Sequence, residues 1–223
     1  MFPSFREEQK LQKKGYKIIA GIDEAGRGAL AGPVVAAAVL LKKNPKFKIK
    51  SAGSFLKEIK DSKQLSPQKR EKLYRLLTGS VNIEWGIGRT SERIIDKINI
   101  LEATKLAMTR ATRNLEKKAR RKIGFLILDG NFTLPAEALA KAGINSNIPQ
   151  KPIKKADAKV LSCACASILA KVTRDRLMKK EDKKYPEYKF SKHKGYGTNF
   201  HFRILKKYGP CKIHRKSFRP VRK

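Results

Sequence analysis

Two short apolar runs, each stopped by acid, constrain this chain more than any other feature. Ile18-Ile19-Ala20-Gly21-Ile22 leads into Asp23-Glu24, and Phe125-Leu126-Ile127-Leu128 leads into Asp129. Runs of this length, with β-branched and aromatic residues and glycine close by, read as buried strands. A single acid at a strand end can simply solvate the turn. Two such ends deliver carboxylates from rigid elements, which is what a site for a hard divalent cation needs. Acid is also scarce here: 53 Lys+Arg stand against 19 Asp+Glu, a formal charge of +34.

The 223 residues fit one medium domain. Val34 to Leu41 is a second strand, joined to the first through Gly26, Gly28, Gly32 and Pro33, so the two are expected to be antiparallel. Val81 to Gly88 reads as another strand. Ile148 to Ile153 reads as an edge strand, because Pro149 and Pro152 cannot serve a central ladder. Ser66-Pro67 caps and opens a helix to Leu77. Ser91 caps a helix through Ile98, and Ile100, Ala103, Ala107, Ala111 and Leu115 sustain a separate one. Pro135 to Ala142, Ala158 to about Lys180 and Asn199 to Tyr208 complete the helical segments. Residues 1–16 are expected as a flexible basic arm or short helix, and residues 17–223 as a single catalytic domain. The pattern is an α/β fold with a mixed central sheet and a helical C-terminal region over about 175–223.

The cationic excess runs along the whole chain and favours a polyanionic partner, since each phosphate neutralised releases counterions. Cys163, Cys165 and Cys211 form no CxxC pair and read as reduced thiols, the first two as core residues of an Ala-rich helix rather than metal ligands. No signal-peptide core and no bilayer-length apolar run is present, so a soluble, cytoplasmic protein without a membrane partner is expected. Asp157 opens the Ala-rich helix and has two readings, a helix N-cap or a fourth acid of a metal site. Gly26-Arg27-Gly28 is either a turn with an incidental arginine or a place where bare backbone can approach a ligand. His193, His201 and His214 read as surface or phosphate contacts, His193 foremost. Lys63 and Lys171 are either electrostatic neighbours of the acids or ordinary solvated lysines.

In order and wording these segments resemble the type 2 ribonucleases H, specifically bacterial ribonuclease HII. The resemblance rests on Gly21-Ile22-Asp23-Glu24-Ala25-Gly26-Arg27-Gly28, Leu30-Ala31-Gly32-Pro33-Val34-Val35, Asp61-Ser62-Lys63 and Asn99-Ile100-Leu101-Glu102-Ala103-Thr104. It continues through Leu128-Asp129-Gly130, Ala156-Asp157-Ala158-Lys159, Ala166 to Asp175, Lys192-His193-Lys194-Gly195-Tyr196-Gly197-Thr198 and Ile213-His214-Arg215-Lys216-Ser217-Phe218. It implies a ribonuclease H-like fold and a metal-dependent endoribonuclease acting on RNA/DNA hybrids and on single ribonucleotides embedded in duplex DNA. It also implies two Mg²⁺ or Mn²⁺ ions held by Asp23, Glu24, Asp129 and Asp157. Substrate contacts would come from Gly26, Arg27, Gly28 and Tyr196, with Lys63 nearby. A monomer is expected, and no residue pattern decides for a sliding-clamp contact. Ala29 replaces a common proline and Ala156 a common glycine. The rival readings are a noncatalytic basic nucleic-acid-binding protein and a resolvase- or transposase-type nuclease of the same fold. The acids favour catalysis, because a pure phosphate binder gains nothing from carboxylates where phosphate would sit.

Overall fold

The computed structural model describes residues 2–42, 54–60, 62–219 and 221–222. Asp61 of the Asp61-Ser62-Lys63 motif and most of the basic stretch from Asn44 lie outside these. Strands β1 (Ile19–Ala25), β2 (Val34–Leu41), β3 (Ile83–Thr90), β4 (Phe125–Asp129) and β5 (Gln150–Ile153) form one sheet in the order β3-β2-β1-β4-β5. β1 and β2 pair antiparallel, as do β2 and β3, whereas β4 runs parallel to both β1 and β5. The expected mixed sheet is therefore present, with the proline-bearing strand at its edge. The helices are α1 (Arg6–Lys13), α2 (Pro67–Gly79), α3 (Glu92–Ala119), α4 (Ala136–Lys141), α5 (Leu161–Lys184), α6 (Phe190–His193) and α7 (Asn199–Tyr208). No helix among the described residues is long and apolar enough to cross a membrane.

Strand alternation sorts the core into two layers. Ala20, Ile22, Ala36, Ala38, Leu126 and Leu128 pack with Ile95, Ala103, Ala107 and Leu115 of α3 on one face. Ala37, Val39 and Leu41 pack on the other face with Leu73 and Leu77 of α2 and Leu161 to Ala170 of α5. α3 lies almost on the β3 backbone, because a Cβ on Gly86 would sit 2.3 Å from Ala111 O, and one on Gly88 2.0 Å from Ala107 O. The two-helix reading of 91–115 is correct in substance, although Ser91 stands at the N-cap position without a side-chain cap hydrogen bond. α3 breaks at Asn99 (φ 65°, ψ 168°), whose Oδ1 accepts from the Leu101 and Glu102 N–H groups and caps the second segment. The Ser66 cap is also present, accepting from Lys69 N–H at 3.2 Å.

Two expectations need correction, and one interaction corrects both. Of the two alternatives for the N-terminal segment, the short helix is the one found and the flexible arm is not: α1 docks, burying Leu11 and Glu8. The N-cap of α5 is Val160, which has no side chain able to accept, and Asp157 lies earlier, in a 3-10 turn Ala156–Ala158. The orphan donors of α5 are satisfied from the arm instead. Leu161 N–H donates to Ser4 O at 3.2 Å, and Ser162 N–H and Oγ–H donate to Glu8 Oε1 at 3.1 and 2.7 Å. Asp157 is thus not the cap of α5.

Backbone atoms cannot yield as a flexible side chain can, so the close α3/β3 approach gives a direct test. Gly88→Ala is expected to destabilise the fold by roughly 3 kcal/mol in urea unfolding. Gly79→Ala, where an added Cβ meets nothing within 4 Å, should change stability little.

Candidate active site

Strand register builds the acid cluster. Gly21 pairs with Ile127 and Ile22 with Leu128 along the parallel β1/β4 ladder, so one step further Asp23 comes beside Asp129. Both acids share the parity of Gly21 and Ile127, and so face α5. That helix lies close because residue 21 is glycine: a Cβ there would stand 2.3 Å from Ser162 Oγ and 2.6 Å from Cys163 N. The 3-10 turn immediately before α5 then delivers Asp157. One carboxylate oxygen each from Asp23, Asp129 and Asp157 lies within 4.8 Å of the others. Main-chain donors orient two of them, Glu24 N–H to Asp23 Oδ1 and Ala156 N–H to Asp129 Oδ1, both at 2.7 Å. Ser167 also hydrogen-bonds Asp23, and is itself 2.8 Å from Ser62 Oγ.

Glu24 was expected in the same ligand set; among the described residues the three aspartates form the convergent group, with Glu24 beside it. Adjacent strand residues point to opposite faces, and the Glu24 carboxylate lies 3.4 Å from Arg27 Nη1, with Oε2 buried and without a hydrogen-bond partner among the described residues. It remains close enough for electrostatic coupling. Burial, then the charges of Glu24 and Asp129, push the Asp23 carboxyl well above its usual range. Burial raises Glu24 to about 7 against the opposing pull of Arg27, with Asp129 adding to the rise and exposed Lys63 opposing it. Crowded, desolvated carboxylates offering only oxygen donors, with an orphaned oxygen beside them, fit a divalent cation of the Mg²⁺ or Mn²⁺ type.

Beside this cluster, β1 runs into Gly26-Arg27-Gly28. The two glycines do different work. Gly26 has φ 98°, and a Cβ there would lie 2.0 Å from Arg174 Nε, so packing alone demands glycine. At Gly28 a Cβ would meet nothing within 4 Å. Tyr196 stands across from this loop, through an antiparallel bridge to Ala29 and a 2.7 Å bond from Leu30 N–H to Gly195 O. Its half-buried ring lies 5.3 Å from Lys171 Nζ and 5.1 Å from the Arg174 guanidinium. Lys171 also pairs with Asp175 at 2.8 Å.

A family model described as ribonuclease HII matches residues 20–221. The ribonuclease HII of Chlamydia muridarum is 48% identical over 222 residues, covering 98% of this chain and 91% of that protein. That of Caldicellulosiruptor saccharolyticus is 44% identical over 214 residues, covering 96% and 93%. The chain belongs to the ribonuclease HII family. Among solved structures, ribonuclease H2 from Pyrococcus horikoshii superposes with a TM-score of 0.68 at 30% identity, covering 92% of this chain and 95% of that one. Membership makes the protein an endonucleolytic hydrolase with a ribonuclease H-like fold.

Within this ribonuclease HII fold, the histidines need correction. None is at the surface: His193, His201 and His214 are all buried. Cys211 N–H donates to His214 Nδ1 at 2.9 Å, His214 and His201 share an Nε2···Nε2 contact of 3.0 Å, and His201 Nδ1 lies 3.0 Å from Tyr196 O. Running the donors one way, Cys211 to His214 to His201 to Tyr196, satisfies every ring nitrogen with both imidazoles neutral. Burial accordingly lowers both to about 4. His193 stacks on His201 at 4.1 Å and contacts Tyr188 O at 2.9 Å, which removes it as a phosphate contact. The chain instead anchors the main chain of Tyr196. Arg174, Arg215, Ser167 and Glu8 had no sequence signal of their role, since each acts through partners far away in the chain.

A carboxyl raised in the folded state binds its proton more tightly there than when unfolded. Its stabilising contribution is complete below the unfolded value near 4.5 and is lost as pH rises through about 7. At pH 8 without divalent metal, Glu24→Gln should therefore raise stability by about 2 kcal/mol. Thermal melts should show that gain shrinking at pH 5, where the wild-type carboxyl is protonated, and on addition of Mg²⁺.

Proposed function

We propose that this ribonuclease HII hydrolyses the RNA strand of RNA/DNA hybrids and cuts on the 5′ side of single ribonucleotides embedded in duplex DNA, leaving 5′-phosphate and 3′-hydroxyl ends. The observation that carries the reading is the juxtaposition of three convergent aspartates with a glycine-opened backbone loop. The first can do phosphodiester chemistry, and the second can sense a sugar. Two divalent ions held by Asp23, Asp129 and Asp157, with Glu24 alongside, would activate water and neutralise charge on the scissile phosphate and the departing 3′-oxygen.

The protein's own residues supply positioning. Phosphate contacts carry no information about the sugar, so selection of RNA needs a short-range probe of the 2′-hydroxyl. The open face at Gly28 admits a ribose to main-chain contact. Tyr196, held opposite that loop, packs against the neighbouring sugar, where a deoxyribose fits without a clashing hydroxyl. Lys171, Arg176, Lys179, Lys192 and Lys194 line a groove of about 310 Å³ that continues from Tyr196 along α2 and α5, a cationic track for the backbone. Lys63 places a further charge near Glu24.

The purified protein, assayed on a labelled hybrid with Mg²⁺ and with chelator, tests the reading; equal activity in both would sink it. Asp129→Asn and Asp157→Asn should each lower cleavage by on the order of 10²–10³-fold, the scale of losing one preorganised electrostatic contact, with hybrid binding largely kept. Asn at position 157 cannot be excused as a lost cap, because α5 is capped from the arm. Near wild-type turnover in Asp157→Asn would remove it from the site.

Tyr196→Ala separates recognition from packing. It should reduce cleavage at a single embedded ribonucleotide by roughly tenfold more than cleavage of a continuous hybrid, a difference of about 1.4 kcal/mol between the two substrates. Equal losses on both, with a lower melting temperature, would assign the ring to packing alone.

A further inference from the structure

Arg174 and Arg215 are both 0% exposed, and every hydrogen bond found for their guanidiniums among the described residues ends on a main-chain carbonyl. Arg174 donates from Nε to Pro33 O at 2.9 Å, from Nη1 to Lys194 O at 2.9 Å and from Nη2 to Ala31 O at 3.0 Å. Arg215 donates from Nη2 to Gly26 O at 2.7 Å, from Nη1 to Arg27 O at 2.8 Å, and from Nε and Nη2 to Gly32 O at 3.0 and 2.9 Å. Burying two guanidiniums side by side is expensive, and a loop that only needed packing could be filled by apolar side chains at lower cost.

The carbonyls they capture have a geometric consequence. No peptide bond among the described residues is cis, and in a planar trans peptide the N–H points opposite to the C=O. With Gly26 O and Arg27 O drawn inward to Arg215, the N–H groups of Arg27 and Gly28 point outward. Neither donates to a backbone carbonyl among the described residues. An added Cβ at Gly28 would meet nothing within 4 Å, so the backbone there is open to approach, and two successive outward N–H groups make a concave donor pair for an oxygen atom. Arg174 bonds at once to the loop end, through Ala31 and Pro33, and to Lys194, two residues from Tyr196. The probe loop and the tyrosine segment are thereby held in one frame.

We propose that Arg174 and Arg215 are positioning residues that set the polarity of the Gly26–Gly28 main chain, turning the Arg27 and Gly28 N–H groups outward as donors to the ribose 2′-oxygen. The inference rests on the ribonucleotide-selecting function proposed above. It traces the direction of that main chain to two buried side chains that do not reach the surface.

The test measures affinity for a DNA duplex carrying one ribonucleotide and for its all-deoxy counterpart, with Ca²⁺ in place of Mg²⁺, for the wild type, Arg215→Lys and Arg174→Lys. The wild type should prefer the ribonucleotide duplex by about tenfold. Lysine keeps the charge but cannot span three carbonyls, so the preference should collapse towards one while affinity for the all-deoxy duplex is retained. Equal weakening on both duplexes with the preference intact would make the arginines merely structural and overturn the proposal. If the lysine variants fail to fold, the wild-type amide resonances decide. Arg27 and Gly28 protons should shift further with the ribonucleotide duplex than with the deoxy one, and equal shifts would overturn the proposal. If the wild type itself shows no ribonucleotide preference, the selecting function fails instead, and hydrogen exchange then judges the arginines. Slowed exchange at the Arg27 and Gly28 amides in Arg215→Lys, as the peptides turn away from solvent, supports their role, and unchanged exchange refutes it.

Discussion

Crowding like charges away from water is the constraint on which the rest of this structure depends. Two carboxylates about 4 Å apart repel by roughly 4 kcal/mol at an effective dielectric of 20, and here three aspartates bring oxygens within 4.8 Å of one another. Loops left to themselves would splay. The acids stay together because two sit on adjacent parallel strands in fixed register and the third is tied to a helix pressed onto the same sheet. Glycines make that pressing possible: Gly21 lets α5 touch β1, and Gly86 and Gly88 let α3 touch β3. The stored repulsion is what a bound cation or proton relieves, so the rigidity that costs stability is also what gives the site its affinity for metal.

Charge is assigned economically across this frame. The N-cap residue of α5 is Val160, whose side chain cannot accept, so the first donors of that helix are met from elsewhere in the chain. Glu8 reaches across from α1 to accept from Ser162, and burial raises its carboxyl above the usual range. The arm thereby becomes part of the architecture that holds the N-terminus of α5.

The legible part of this chain was the part written in local pattern. Strand runs, the edge position of β5, the break between helices at Asn99 and the Ser66 cap all follow from periodicity and capping chemistry acting over a few residues. The meeting of Asp23 with Asp129 follows from two apolar runs ending in acid, once the strands are parallel neighbours. What local pattern hides is any interaction whose two halves lie far apart in sequence. Glu8 caps a helix more than 150 positions away. Three histidines in a lysine-rich region look solvent-facing until α7 and the C-terminal segment close on them. Glu24 looks equivalent to Asp23 until strand alternation turns it the other way. The resemblance to ribonuclease HII named the acids, and only the fold distinguishes the three that converge from the one alongside.

In a chain of +34 formal charge with 19 acidic residues, buried cations would ordinarily be neutralised by carboxylates, and each carboxylate so used would be lost to the site. Arg174 and Arg215 avoid that competition by bonding to carbonyl oxygens, which carry partial charge and cost the protein no acid. All but one of those carbonyls belong to the loop that follows the acid-bearing end of β1, the exception being Lys194 O beside the tyrosine segment. Satisfying buried guanidiniums and fixing the loop are therefore a single set of hydrogen bonds. The acids remain available to a divalent cation on one side of β1, while the main chain just beyond its end is held with its donors turned outward. The metal cluster and the proposed sugar-sensing loop are set by the same strand, so the position of one fixes the position of the other.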